Sequence, residues 1–225
     1  MSTTDNTYVP KTGVNKKYNK SPRVGILTYH RSFNYGSALQ SWALSYILTG
    51  LGANVEIIDY IPMNYQYIYG DWRKPNSFKN IFFNLIHTLY HGYFVRRKRD
   101  FSDFCQKHMP LSDSEFHSAR DLELYLRDFD VVICGSDQIW NPNAEDFDPT
   151  FMLSCIEAKR KISYAASIGN GDLNNCENKD EIKRSLLEFE VISVREKSGE
   201  KKLKEFLGSD KIIKTVLDPT LLLSQ

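Results

Sequence analysis

Short runs of consecutive apolar residues, separated by segments with helical periodicity, organise most of this chain. Such runs are typical of strands that are covered on both faces, as in a parallel sheet. The runs predicted as strands are Val24–Thr28, Val55–Asp59, Val131–Cys134, Ile162–Ala166, Val191–Val194 and Ile212–Leu217. Their alternation with helical segments predicts an α/β fold with a doubly wound, mostly parallel sheet.

The segment between the first two strands is predicted as an amphipathic helix. Residues Ser37 to Leu48 carry apolar side chains at helical spacing. Ser37 is a suitable N-cap residue, and Gly50 is a suitable glycine just beyond the C-terminal cap. We therefore expect the helix to start at Ser37 and to stop before Gly50.

A long apolar segment interrupts this alternation. Residues 76–110 are predicted as a helical insertion, because apolar residues recur at helical spacing between Ser77 and Met109. The apolar face consists of Ile81, Phe82, Leu85, Ile86, Leu89, Tyr90 and Phe94. The segment is too short and too often interrupted by polar residues to span a bilayer.

The basic run Arg96-Arg97-Lys98-Arg99 directly follows this apolar helix. An amphipathic helix beside a basic cluster can rest on an anionic membrane, so one interpretation is that residues 77–99 make peripheral contact with the inner face of the cell membrane. The other is a helix that packs over the sheet and has a solvated basic end. We favour the second interpretation, because charge runs are usually solvated.

The bulk composition narrows the choice of partners and compartment. The formal net charge is only +1 in 225 residues, which disfavours nucleic acid as a partner. Cys105, Cys134, Cys155 and Cys176 are widely spaced, which is typical of reduced thiols. Residues 1–22 are polar and have no apolar signal-peptide core, so we expect a disordered tail and a cytoplasmic protein.

Small and polar residues follow the third predicted strand. The loop after this strand is predicted to contain Gly135, Ser136, Asp137, Gln138 and Asn141. Ligands of open α/β sheets bind outside the carboxyl ends of the strands, so a carboxylate, an amide and a hydroxyl there indicate a binding site. The alternative is a polar turn that is capped by Asp137.

The loop after the first strand has a similar composition. Asn34, Gly36 and Ser37 lie in or beside it, where the helix begins. Free N–H groups at a helix N-terminus and a close backbone approach at glycine favour an anionic or hydroxyl-rich ligand. A tight turn explains the same residues without a ligand. His30 is the histidine best placed for proton transfer, although a structural role is the favoured alternative.

Arg195 follows another predicted strand and is a candidate anion-binding residue. A guanidinium at this edge of the sheet can bind phosphate or carboxylate through two parallel hydrogen bonds. A surface ion pair with Glu196 is the alternative. His87 and His91 stand four residues apart, but no third ligand is evident nearby, so no metal site is predicted.

Four short motifs occur in order along the chain. They are Phe33-Asn-Tyr-Gly-Ser-Ala-Leu-Gln40, Gly135-Ser-Asp-Gln-Ile-Trp-Asn141, Ser193-Val-Arg-Glu196 and Leu217-Asp-Pro219. The set resembles the polysaccharide pyruvyl transferase family, from about Arg23 to the C-terminus, and the second motif is the most specific. The resemblance implies a Rossmann-like domain similar to the N-terminal half of a GT-B-like two-domain fold. It also implies transfer of a pyruvyl group from phosphoenolpyruvate to a sugar of a bacterial surface polysaccharide, as a ketal.

The resemblance and the chemistry together suggest roles for these residues. Arg195 matches a donor-binding arginine, with phosphoenolpyruvate as the donor substrate and no cofactor. Asp137 is the candidate base and His30 is a weak candidate for the same chemistry. The acceptor, an oligosaccharide or a lipid-linked glycan, is expected to contact Asn34, Gly36, Ser37, Ser136, Gln138 and Asn141. No residue is assigned as the general acid that protonates the enol carbon.

The resemblance also implies a second Rossmann-like half, which we expect to be missing. Residues 23–225 would then be a single N-terminal domain that is inactive alone or is completed by a partner chain. Two further functions are open: one half of a GT-B glycosyltransferase that uses a nucleotide sugar, and a non-catalytic glycan-binding remnant. The fold alone does not separate them.

Overall fold

Seven parallel strands form one sheet in the computed structural model, which describes residues 20–62, 65, 70, 72–154, 156–208 and 211–223. The strands are β1 (Arg23–Leu27), β2 (Asn54–Tyr60), β3 (Leu111–Phe116), β4 (Val131–Asp137), β5 (Lys161–Ala166), β6 (Ile192–Val194) and β7 (Ile213–Thr215). They lie in the order β3-β2-β1-β4-β5-β6-β7. The predicted α/β fold with a doubly wound, Rossmann-like sheet is confirmed. Most of the predicted tail, residues 1–22, lies outside the described residues.

Helices connect the strands. The α-helices are α1 (Tyr35–Gly50), α2 (Phe78–Leu89), α3 (His91–His108), α4 (Ala119–Leu126), α5 (Lys179–Glu188) and α6 (Lys197–Leu207). Short 3₁₀ helices occupy Pro149–Met152, Leu173–Asn175 and Pro219–Leu222. Within the described ranges, every helix is too short or too polar to cross a membrane.

Strand β4 is longer than its apolar run predicts. It continues beyond Cys134 to Asp137, which pairs with Ala166 of β5. Gly135, Ser136 and Asp137 therefore lie in the strand and not in the loop, so the predicted end of this strand was wrong. Glycine at position 135 allows β4 to pair with β5 here, because a Cβ at this position would lie 2.0 Å from the carbonyl oxygen of Tyr164.

The apolar pattern does not predict β3. This strand lies at the edge of the sheet and pairs with β2 only, so much of it faces solvent. Asp113, Ser114 and Glu115 are exposed, whereas Ser112 and Phe116 are buried. Edge strands commonly carry charged residues, which leave no continuous apolar run to recognise.

Helix α1 begins earlier and ends later than predicted. Its N-cap is Asn34, whose side chain accepts a hydrogen bond from the backbone N–H of Gly36 at 2.8 Å. The prediction of Ser37 as N-cap was wrong, and the Ser37 hydroxyl bonds elsewhere. Gly50 lies inside the helix, and Gly52 instead takes the left-handed conformation, with φ 93°.

The predicted insertion, residues 76–110, contains α2 and α3 with a break at Tyr90. The second half of α3 packs over the sheet, because Phe101 and Cys105 join the core on the face of β1 and β2. Helix α2 does not, since Phe78 and Phe82 on its apolar side are 93% and 63% exposed. The favoured interpretation, a helix packed over the sheet, was therefore wrong for α2.

Hydrophobic cores lie on both faces of the sheet. The larger one contains Phe129, Trp140 and Phe151, and the other contains Ile26, Leu44 and Ile57. The chain passes from β1 outward to β2 and β3, and then returns to continue from β4 on the other side of β1. The point between β1 and β4 is the topological switch point, where open α/β sheets bind ligands.

Candidate active site

An open cleft of about 600 Å³ lies at the carboxyl ends of β1 and β4. Its polar lining consists of Ser32, Asn34, Ser37, Arg97, Asp137, Gln138 and Asp146, together with Tyr29 and Tyr35. The structure thus brings Asn34, Ser37, Asp137 and Gln138 together at the switch point. These four residues were singled out in the sequence because they follow strands.

Two hydrogen bonds hold the carboxylate of Asp137 in this cleft. One carboxyl oxygen accepts a hydrogen bond from the Ser37 hydroxyl at 2.5 Å, and the other accepts from the Gln138 N–H at 2.7 Å. Burial raises the pKa of Asp137 above its ordinary value, and these two hydrogen bonds and the nearby charge of Arg195 offset burial only in part. Such a carboxylate is more basic than an exposed one.

The backbone around Asp137 is strained. Asp137 has φ 110° and Ala165 on the neighbouring strand has φ 51°, both unusual for residues with a side chain. Gly135 has φ 144°. Strained positions persist where the surrounding structure holds them, and they cluster at functional sites.

Gln40 joins the two strand ends that form the cleft. Its side-chain N–H group donates to the hydroxyl of Thr28 at 3.1 Å and to the carbonyl of Ser37 at 2.9 Å. Its side-chain oxygen accepts from the backbone N–H of Ser136 at 3.1 Å. Gln40 is only 2% exposed, so this buried amide ties α1 to both β1 and β4. The sequence contained a signal for it: a polar residue on the apolar stripe of a helix.

Asp218 connects the second, third and fourth motifs. Its carboxylate accepts from the Ser136 hydroxyl at 3.2 Å and from a terminal nitrogen of Arg195 at 3.3 Å. It also caps the helix Pro219–Leu222 through the N–H of Thr220 at 3.0 Å. Sequence reasoning assigned no role to Asp218, although its place after the last strand was a usable signal.

Arg195 is half-buried between two carboxylates. Besides Asp218, it contacts Glu196, whose oxygen accepts from the Arg195 Nε at 3.2 Å. The pair with Glu196, considered from the sequence as an alternative to anion binding, is therefore present. Arg195 Nη2 has no protein acceptor among the described residues, so this amino group can still meet an anion.

Asn141 and Gln138 link the loop after β4 to the loop after β5. The Asn141 side-chain amide donates to the Gln138 side-chain oxygen at 2.9 Å. Both side chains pack against Gly169, where a Cβ would come within 2.9 Å of Gln138 and 3.0 Å of Asn141. Asn141 is buried, whereas Gln138 borders the cleft. Their contact with a sugar stays a prediction.

His30 lies beside this cleft rather than in its lining. The ring is 2% exposed, with Nε2 2.9 Å from a carboxyl oxygen of Asp59 and Nδ1 3.1 Å from the carbonyl of Thr28. Arg31 also bonds Asp59. Both ring nitrogens thus contact protein oxygens, one from Asp59 in β2 and the other from Thr28 directly after β1. This arrangement favours the structural role that was the alternative for His30.

Arg97 is a cation in the cleft that sequence reasoning did not assign to the site. It comes from α3, and its Nη2 donates to the carbonyl of Phe33 at 2.8 Å. In the sequence it is one of four consecutive basic residues, so no local signal separates it from its neighbours. Within the described ranges, no group of three or more His, Cys, Asp or Glu could hold a metal ion.

The four motifs therefore meet at one edge of the sheet, through the side chains of Ser37, Gln40, Ser136, Arg195 and Asp218. Searches of curated proteins and of solved structures found no significant match to this chain. The family model described as "Polysaccharide pyruvyl transferase" matches residues 34–225, which is most of the chain. The chain belongs to the polysaccharide pyruvyl transferase family.

Proposed function

We propose that this chain takes part in transfer of a pyruvyl group from phosphoenolpyruvate to hydroxyls of a surface polysaccharide, and that the cleft binds the acceptor sugar. The observation that carries the proposal is the convergence of the four motifs on one edge of the sheet, with Asp137 in the cleft and Arg195 nearby. Family membership supports the reaction class.

Formation of the ketal defines what the site has to do. The CH₂ carbon of phosphoenolpyruvate gains a proton, the adjacent carbon forms bonds to two acceptor oxygens, and phosphate leaves. The two hydroxyls release two protons, which balance the one gained by carbon and the one carried away on phosphate. An acid for the carbon, a base for the hydroxyls and an anion-binding cation are therefore required.

Asp137 suits the role of base. Its carboxylate lines the cleft, and burial raises its pKa, which favours proton uptake nearer to neutral pH. The Ser37 hydroxyl at 2.5 Å and the Gln138 N–H at 2.7 Å hold it in one orientation. Asn34 and Gln138 border the same cleft and can bind sugar hydroxyls. Beside the cleft, the backbone N–H groups of Gly36 and Ser136 and the side chain of Asn141 are already hydrogen-bonded within the protein.

Arg195 suits the role of donor-binding residue. Asp218 and Glu196 hold its Nη1 and Nε, so the orientation of the guanidinium is set before a ligand arrives. Nη2 is then available for the phosphate or the carboxylate of phosphoenolpyruvate. Asp137 and Arg195 are close enough to influence each other's pKa, which fits a donor placed beside the acceptor.

Binding of phosphoenolpyruvate tests the donor role without requiring turnover. We expect saturable binding to the chain by calorimetry, and a loss of about tenfold or more in affinity for Arg195→Gln, because a charge-assisted bond to an anion is removed. Arg160→Gln is the matched control, since Arg160 also pairs with a carboxylate, Glu190, but at an exposed site. Its affinity for phosphoenolpyruvate should equal that of the wild type.

A second measurement tests the acceptor role. A panel of oligosaccharides is screened by saturation-transfer NMR, and phosphate release is followed in mixtures of phosphoenolpyruvate with each oligosaccharide that binds. Asp137→Asn should keep acceptor binding but lower any turnover by about 10²-fold or more. Binding of nucleotide sugars instead of phosphoenolpyruvate would replace this proposal by the glycosyltransferase alternative. Glycan binding without affinity for phosphoenolpyruvate would favour a purely glycan-binding domain.

A further inference from the structure

Helix α2 presents an apolar face to solvent. Phe78, Ile81, Phe82, Leu85 and Leu89 are three or four residues apart, so they lie on one side of the helix. Their exposed fractions range from 51% for Ile81 to 93% for Phe78. Single exposed apolar residues are ordinary, but a contiguous apolar face of this kind marks an interaction site.

The opposite side of α2 is the side that packs on the protein. His87 is 4% exposed, and its ring stacks on Phe94 of α3 with centroids 4.5 Å apart and an interplanar angle of 10°. Asn84 bonds the backbone of Arg73 in both directions, at 2.8 and 3.0 Å. These contacts fix the rotation of α2, so its apolar face points away from the domain.

Positive charge is concentrated in the segment of the chain that carries this apolar face. Residues 72–99 contain seven Lys and Arg residues and no Asp or Glu, although the whole chain has a net charge of only +1. Lys79 on α2 and Arg96 and Arg99 on α3 are exposed, and Arg99 lies 3.7 Å from the carboxylate of Asp100, just beyond this range. Two further basic residues, Arg73 and Arg97, are partly buried against aromatic rings.

We propose that α2 and the beginning of α3 form a docking surface for an anionic lipid bilayer. We call it the hairpin surface and define it by Phe78, Ile81, Phe82, Leu85, Leu89, Tyr93, Lys79, Arg96 and Arg99. A helix with an apolar side and flanking cations inserts that side at the boundary of headgroups and acyl chains, while the cations meet anionic headgroups. A second copy of the chain is a poor occupant, because its own hairpin surface carries the same positive charge.

The hairpin surface borders the active-site cleft. A groove of about 350 Å³ between α1 and α3 is lined by Tyr93 and Arg96 of the hairpin surface and by Tyr35 and Arg97 of the cleft. Docking would bring the cleft near the membrane, where a lipid-carried acceptor would be found. That consequence depends on the proposed function, whereas docking itself does not.

Sedimentation with lipid vesicles tests the docking. The chain should bind vesicles of phosphatidylcholine mixed with phosphatidylglycerol and should bind pure phosphatidylcholine much more weakly. High salt should weaken binding, because it screens exposed charges.

Two double variants test the apolar face and the exposed cations in turn. Phe82→Asp with Leu85→Asp should lower the partition to anionic vesicles by about tenfold or more, and so should Arg96→Gln with Arg99→Gln. The matched controls are Ile212→Asp, at a side chain 73% exposed, and Lys201→Gln, at one 79% exposed. Both controls should bind like the wild type. Circular dichroism establishes that all variants are folded.

Specific outcomes would overturn the docking proposal. Equal binding to neutral and anionic vesicles, or equal losses in the variants and their controls, would contradict it. A dimer that the Phe82→Asp and Leu85→Asp variant dissociates, without vesicle binding by the wild type, would make the hairpin surface an interface between copies. Phosphoenolpyruvate binding is measured separately, so failure of docking and failure of the proposed function are distinguishable.

Discussion

The hydroxyl of Ser37 donates to the carboxylate of Asp137 across 2.5 Å and joins the first turn of α1 to the last residue of β4. The two residues are 100 positions apart in the chain. Their contact therefore depends on β1 and β4 being neighbours in the sheet, as they are at the switch point. This hydrogen bond fixes the positions of Ser37 and Asp137 relative to each other in the lining of the cleft.

Replacement of Asp137 by asparagine should stabilise the fold. Burial raises the pKa of Asp137, so the folded protein holds the proton more strongly than the unfolded chain. The contribution of this group to stability is present below the ordinary carboxyl pKa of about 4 and is lost as the pH rises through the higher folded value. An asparagine at this position would carry no charge, so Asp137→Asn should unfold at higher urea concentration than the wild type near neutral pH.

The sign of this effect distinguishes Asp137 from an ordinary surface carboxylate. The difference in unfolding free energy between Asp137→Asn and wild type should grow in urea titrations as the pH rises from about 4 through the raised folded pKa of Asp137. Asp113→Asn, on the exposed edge strand β3, serves as the control and should show little change over this range. A variant at position 137 that is less stable at every pH would contradict the raised pKa.

The ion cluster of His30, Arg31 and Asp59 should give the opposite dependence on pH. Burial alone would raise the pKa of Asp59, but the hydrogen bonds and charges of His30 and Arg31 together lower it. A lowered folded pKa contributes stability above the unfolded pKa of about 4, and this stability is lost as the pH falls through the lower folded value. The wild type should therefore lose stability in acid.

Asp59→Asn tests that cluster. The change leaves His30 and Arg31 without their carboxylate partner. We therefore expect a loss of about 3 kcal/mol in unfolding free energy near neutral pH. The acid-dependent part of the stability curve, between about pH 4 and the lower folded pKa, should flatten in the variant. Urea unfolding at several pH values measures both quantities. An unchanged acid slope would show that another carboxylate is responsible for it.

The apolar runs predict the centre of the sheet because those strands are covered on both faces. Ile26, Ile57 and Ile133 are all nearly or fully buried, and each is next to another apolar residue in its strand. The edge strand β3 has no such run, because solvent covers part of it. The end of β4 is not predicted for another reason. Gly135 and Ser136 are residue types that are common in loops, but here the close approach of the Tyr164 backbone requires glycine at position 135.

The site is predictable as a set of residue types and much less as a set of contacts. Asn34, Ser37, Asp137 and Gln138 follow strand ends in the sequence, and parallel strands place those ends along one edge. Gln40 and Asp218 act through long-range hydrogen bonds that only the folded chain reveals. Arg97 reaches the cleft because α3 crosses beside α1, and no local pattern encodes that crossing.

Gln40→Leu should destabilise the protein and disturb the cleft. The buried amide satisfies the Ser136 N–H, the Thr28 hydroxyl and the Ser37 carbonyl. Leucine of similar size leaves the buried Ser136 N–H without this acceptor, which costs about 2 kcal/mol in unfolding free energy. The Thr28 hydroxyl still donates to the Ser136 carbonyl, and the Ser37 carbonyl still accepts from Ser41. Gln106→Leu, at an exposed position of α3, should be nearly neutral. Equal effects at both positions would mean that the buried hydrogen bonds of Gln40 contribute nothing.

Gly135→Ala should be the most damaging of these changes. Residue 135 has φ 144°, and a Cβ there would lie 2.0 Å from the carbonyl oxygen of Tyr164. Backbone strain and the forced separation of β4 from β5 together should lower the unfolding free energy by about 3 to 5 kcal/mol. Gly92→Ala is the matched control, because that glycine lies in α3 with nothing within 4 Å of an added Cβ. It should gain about 0.5 kcal/mol, since alanine favours helix. Similar stabilities for the two variants would contradict the close approach of β4 and β5, which positions Ser136 and Asp137 at the cleft.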